Sequence, residues 1–149
     1  MKSITFEEVE KRINFALNIF KERDLQLLEL CADERAATHQ IACYLQKCFT
    51  DWHVDCEYNR RGSEPKTQSG KIVRPDIIVH HRGTSENLLC IEAKKEGGSL
   101  DDDRKKLRNF TDPMGEDRYQ FGLLLVLSLR PPYKNNCEWF RSDISSGDE

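Results

Sequence analysis

No uninterrupted apolar run in these 149 residues reaches the roughly 20 residues that a bilayer-spanning helix needs, so no membrane span is expected. The first residues, MKSITFEEVEKR, lack the apolar stretch of a secretory signal, and the expectation is a cytoplasmic protein. The six cysteines, Cys31, Cys43, Cys48, Cys56, Cys90 and Cys137, include no C-x-x-C pair. Without close paired ligands a zinc site is not expected. Without an export signal the thiols read as buried and free rather than as a disulfide frame. Strong positive charge is missing too. A net charge of −3 excludes an indiscriminately basic nucleic-acid coat, though not a local basic surface on an acidic body. There is no internal repeat and no second domain, so one domain over 1–140 with a frayed polar tail over 141–149 is expected.

What is present is the composition of a globular protein, 33% charged and 38% hydrophobic. Its organising stretch is Arg74 to Lys95, RPDIIVHHRGTSENLLCIEAKK. Two apolar runs, Ile77–Val79 and Leu88–Ile91, flank the polar connection RGTSEN, which reads as an antiparallel β return. Asp76 opens the first strand; Glu92 and Lys94 close the second, two residues apart and so on one face. A carboxylate in so apolar a strand is costly unless it is paired or bound to a cation. Whether Asp76 joins Glu92 and Lys94 depends on register. Pairing with Glu92 brings all three together, whereas a symmetric two-residue loop at Thr84-Ser85 turns Asp76 away. No Asn-Gly or Asp-Gly pair fixes the turn.

Along the rest of the chain, Thr5 and Glu8 form a capping box ahead of the stripe Phe6, Val9, Ile13, Ala16, Phe20, which predicts a helix from Phe6 to about Glu22. The segment from Arg23 to Cys31 is ambiguous between a helical turn and a connection. Asp33 is a candidate N-cap for a helix to about Phe49, with Ala37, Ile41, Leu45 and Cys48 inward. Glu34, seven residues before Ile41, falls on that inward stripe. Trp52 to Asn59 alternates as a half-buried strand, with Asp55 and Glu57 on its solvent face. The Gly, Pro and Ser-rich segment Arg60 to Lys71 reads as a loop. Between Arg60 and Arg74 stand five basic residues, Arg60, Arg61, Lys66, Lys71 and Arg74, against one acid, Glu64. That is the pattern of a phosphate-tracking arm, and equally of an ordinary solvated loop. Asp101 to Phe110 reads as a helix with acids at its positive end, and Tyr119 to Leu129 as a buried strand, completing a right-handed βαβ unit.

The order α-α-β-β-β-α-β, with Pro75-Asp76 opening one strand, Glu92-Ala93-Lys94 ending the next and Glu34 on the preceding helix, resembles the PD-(D/E)XK nuclease superfamily over roughly 33–129. The resemblance implies an α/β, restriction-endonuclease-like fold, a mixed β-sheet core flanked by helices. It implies a Mg²⁺-dependent nuclease, with Mn²⁺ as a substitute, that hydrolyses nucleic acid, DNA above all, through a metal-activated water. Asp76 and Glu92, with Glu34 completing the set, would be the metal ligands, and Lys94 would orient or deprotonate the water. These four would be the catalytic residues. Such chemistry suits the residue types. A hard cation prefers oxygen ligands, it lowers the pKa of bound water, and a desolvated Lys beside it has its own pKa depressed.

Each residue also has an ordinary reading. Asp76 can cap a turn, Glu92 and Lys94 can pair on a strand, and Glu34 can complement its helix dipole. Jointly these require four coincidences in the order that one site demands. His80 lies roughly 13 Å along the strand from Asp76 and is read as a core or rim histidine. Lys106 and Arg108 either reach phosphate or balance the Asp101–Asp103 run. A small domain has little surface for base readout, so specificity calls for a homodimer or a partner protein. Two other functions stand beside the enzyme: a catalytically inactive nuclease-fold module that binds nucleic acid or protein, and a structural α/β interaction domain whose charges only form salt bridges.

Overall fold

In the computed structural model the residues described are 3–30, 33–58, 67–68 and 71–142, with only the backbone described at 67–68 and 71–72. Thr5 caps the first helix, its hydroxyl accepting from the Glu8 amide at 3.2 Å, and α1 runs Phe6–Arg23 with Val9, Ile13, Ala16, Leu17 and Phe20 buried. The ambiguous segment forms a short helix, α2, Leu25–Glu29. Asp33 accepts from the Arg35 amide at 2.8 Å and starts α3, Glu34–Cys48. The Tyr44 hydroxyl donates to Asp24 and ties α3 to the α1–α2 junction.

The strands that follow are β1 (His53–Cys56), β2 (Thr67–Gln68), β3 (Lys71–Ile72), β4 (Ile77–His80) and β5 (Asn87–Lys95). Helix α4 (Asp101–Thr111), β6 (Phe121–Leu127) and β7 (Asn136–Arg141) complete the chain. The main sheet has the order β1-β4-β5-β6-β7, and β2 and β3 pair separately. All neighbours are antiparallel except β5 and β6, the pair that α4 joins. The protein is therefore a mixed α/β fold, a five-stranded mixed sheet with helices on both faces.

That arrangement follows from the burial pattern. One face of the sheet, with Ile77, Val79, Leu89, Ile91, Leu123 and Leu125, packs on α1 and α3 to form the larger core. The other, with Ile78, Cys90 and Leu124, packs on Leu107 and Phe110 of α4 and on Tyr119. Every residue of β4 is buried, as is each from Leu88 to Ala93 in β5. Gly122 lets α4 approach: a Cβ there would stand 3.0 Å from the Thr111 methyl.

Three features differ from the sequence expectation. Strand β7 extends the sheet past the Pro131-Pro132 turn and reaches Arg141, one residue into the expected tail. The loop expected from Arg60 to Lys71 contains β2 and the start of β3. Among the described cysteines, all free, only Cys90 is buried, while Cys43 and Cys56 are exposed. Cys43 lies off the inward stripe of α3, and Cys56 ends an edge strand. No helix among the described residues is long and apolar enough to cross a membrane.

Candidate functional site

The site begins where β4 stops and β5 continues. Ile77 pairs with Ile91, Ile78 with Cys90 and Val79 with Leu89, so one step further Asp76 faces Glu92. Beyond that point no strand among the described residues pairs with β5 on its β4 side, and its outward N–H groups need acceptors. Two carboxylates supply them. The Ala93 amide donates to Asp76 Oδ2 at 2.8 Å, and the Lys95 amide donates to Glu34 Oε2 at 2.7 Å. Ala93 and Lys95 are two residues apart and present the same edge. Glu34 thus reaches the sheet from the first turn of α3, as its place on the inward stripe implied.

Glu57, at φ 49°, donates its amide to the Asp76 carbonyl at 3.0 Å and turns the chain away from the end of β1. The gap so framed is a cleft of about 190 Å³, lined by Glu34 and Arg35 of α3, Cys56 and Glu57, Asp76, and Lys94.

Glu92 lies behind the cleft wall and is only 2% exposed. Its carboxyl is pushed up to about 8, first by burial and then by the adjacent Asp76 carboxylate; Lys106 opposes the shift. Lys106 Nζ stands 2.8 Å from Glu92 Oε1 without forming a directed hydrogen bond to it. The same ammonium donates to the Arg74 carbonyl at 2.6 Å. Lys94 does not reach the carboxylate pair. Its ammonium leans toward Asp103 Oδ1 at 3.9 Å and stays 41% exposed.

Asp103, one of the three acids at the positive end of α4, is only 9% exposed. Burial raises its pKa and the Lys94 and Lys106 ammoniums counter that rise. Its spacing identified it: Asp103 precedes Leu107 by four residues and Phe110 by seven, on the stripe that α4 buries. The result is a cluster of three carboxyls, Asp76, Glu92 and Asp103, with two ammoniums.

Of the other residues singled out, Arg60, Arg61 and Lys66 lie outside the described residues, and so does the Lys71 side chain. Arg74 is exposed. His80 is 2% exposed and away from the site, its Nε2 2.7 Å from Asp55 Oδ2. Asp55, expected on the solvent face, is instead clamped by Arg82 at 2.6 and 2.9 Å. Arg82 first and His80 second hold its carboxyl below the usual range, against burial.

Among the described residues no group of three or more His, Cys, Asp or Glu side chains is placed to cage a metal. Asp76 and Glu92 instead form a two-carboxylate oxygen site. That donor set fits Mg²⁺, which commonly uses one or two carboxylates and keeps its remaining positions for water and phosphate. Compared with models of known protein families, with curated proteins and with solved structures, the chain matched none.

Proposed function

We propose that this chain is a Mg²⁺-dependent nuclease of the PD-(D/E)XK, restriction-endonuclease-like kind, hydrolysing phosphodiester bonds of nucleic acid, with DNA the favoured substrate. The observation that carries this reading is the buried Glu92 set opposite half-buried Asp76 across two strands, beside an open cleft. Salt bridging alone does not account for it, because the Asp76 carboxylate adds to the cost of ionising an already buried Glu92.

Asp76 and Glu92 would hold Mg²⁺ or Mn²⁺, which would supply Lewis acidity toward phosphate and a lowered water pKa. Glu34 fixes the edge of β5 and lines the cleft. Lys94, on the cleft wall with a half-exposed ammonium, would orient or deprotonate the attacking water. Arg60, Arg61, Lys66, Lys71 and Arg74 provide the positive track for the backbone. Base selection would come from a second copy or a specificity partner.

One observation favours a second reading, an inactive nuclease-fold module that binds nucleic acid or protein. Lys106 already places a cation at Glu92, as a site that no longer takes a metal would. The two are separated by incubating the protein with duplex, single-stranded and branched DNA and with RNA, in Mg²⁺, Mn²⁺ or EDTA, beside Asp76→Asn. The enzyme cleaves at least one substrate with metal and loses this in the variant. The binding module shows salt-sensitive affinity and no turnover.

A further inference from the structure

The lysine in contact with the carboxylate pair comes from α4 and not from the E-x-K motif. Lys106 Nζ is 2.8 Å from Glu92 Oε1, on a side chain 23% exposed, and its second contact is the Arg74 carbonyl at 2.6 Å. Arg74 lies two residues before Asp76, so Lys106 bridges α4 to the approach of β4 and covers Glu92 from that side. Lys94, by contrast, is held off by Asp103. An ammonium and a divalent ion on the same buried carboxylate repel strongly in a medium of low dielectric constant. A compact charge on a flexible four-carbon stem is well suited to yielding its place.

We propose that Lys106 is a positioning residue that competes with a divalent cation for Glu92, and that an ion bound by Asp76 and Glu92 displaces its ammonium toward the phosphate of a bound nucleic acid. This rests on the carboxylate pair being a cation site. The displacement couples the two ligands. A phosphate that accepts the ammonium lowers the cost of binding the ion, and by linkage the ion strengthens phosphate binding. Lys106 then acts through the metal site rather than on the reacting atoms, and its signature is a changed metal affinity.

The test is calorimetric titration of Mn²⁺ into the full chain, comparing wild type with Lys106→Met, Lys106→Gln, Lys106→Arg and Asp76→Asn. The two neutral variants are expected to bind Mn²⁺ about 5- to 150-fold more tightly than wild type, the range of ordinary coupling between sites. Lys106→Arg keeps the charge and stays near or below wild-type affinity, and Asp76→Asn loses binding. Lys106→Gln retains a donor for the Arg74 carbonyl and is the variant to read if the methionine protein does not fold. Wild-type binding that Asp76→Asn abolishes but the neutral variants leave unchanged or weaken overturns the role of Lys106 and leaves the cation site standing. No Mn²⁺ binding by any of the proteins overturns both.

Discussion

Asp76 faces Glu92 because β5 carries one more residue than β4 needs. His80 pairs with Asn87 but Val79 pairs with Leu89, so Leu88 is the extra residue of a bulge. Counted on from His80–Asn87 without it, Asp76 would fall opposite Ile91 and on the other face from Glu92. Leu88 and Leu89 both enter the larger core, as successive residues at a bulge can. The two carboxyls meet through this one-residue shift, and the chemistry proposed for the site depends on their meeting.

The pH dependence of stability follows from Glu92. Its carboxyl rises from an ordinary 4.5 to about 8, so between those values the folded state holds a proton that the unfolded chain has released. Stability from this group is complete below about 4.5 and is lost as pH rises through about 8. Glu92→Gln removes the effect. Urea unfolding in EDTA at pH 5, 7 and 9 should show wild type losing ground to Glu92→Gln as pH rises, by at most about 5 kcal/mol. A difference between the two proteins that does not change with pH would contradict the raised pKa of buried Glu92.

Asp76 has a structural duty and a proposed chemical one, and two substitutions separate them. Asp76→Asn keeps an oxygen for the Ala93 amide and should cost less than about 1 kcal/mol. Asp76→Ala orphans that donor and should cost about 1–3 kcal/mol. Metal-dependent cleavage should vanish in both. Activity retained in a well-folded Asp76→Asn would reduce Asp76 to a cap for the strand edge.

Lys94 lies on the cleft wall, apart from the carboxylate pair. Lys94→Ala should leave Mn²⁺ affinity within a few-fold of wild type and lower the cleavage rate about 10²- to 10⁴-fold, the usual worth of a positioned proton-transfer group. Metal affinity falling in step with rate would assign Lys94 to ion binding instead.

Much of this was legible in the residues. The stripes of α1 and α3 marked both helices, and the seven-residue spacing from Glu34 to Ile41 put Glu34 on the inward stripe while leaving a helix-dipole role open. The apolar runs around RGTSEN marked β4 and β5. The bulge at Leu88 was not legible, since one added leucine leaves no mark on an already apolar strand. Strand β7 escaped because NCEWFR is only partly buried and follows two prolines, although β6, apolar throughout, required a neighbour on each side. The charges of α4 misled for another reason. Three consecutive acids look like dipole compensation and mask the spacing that puts Asp103 on the stripe of Leu107 and Phe110; that Lys106 reaches Glu92 shows only in the folded packing.

The most direct measurement is an anomalous difference map from crystals soaked in Mn²⁺. The expected result is a single strong peak about 2.0–2.6 Å from one carboxylate oxygen each of Asp76 and Glu92, within the range of hard-cation ligation. No peak beside Asp76 and Glu92 at saturating Mn²⁺, with Lys106 still against Glu92, would contradict the cation site and the nuclease reading with it.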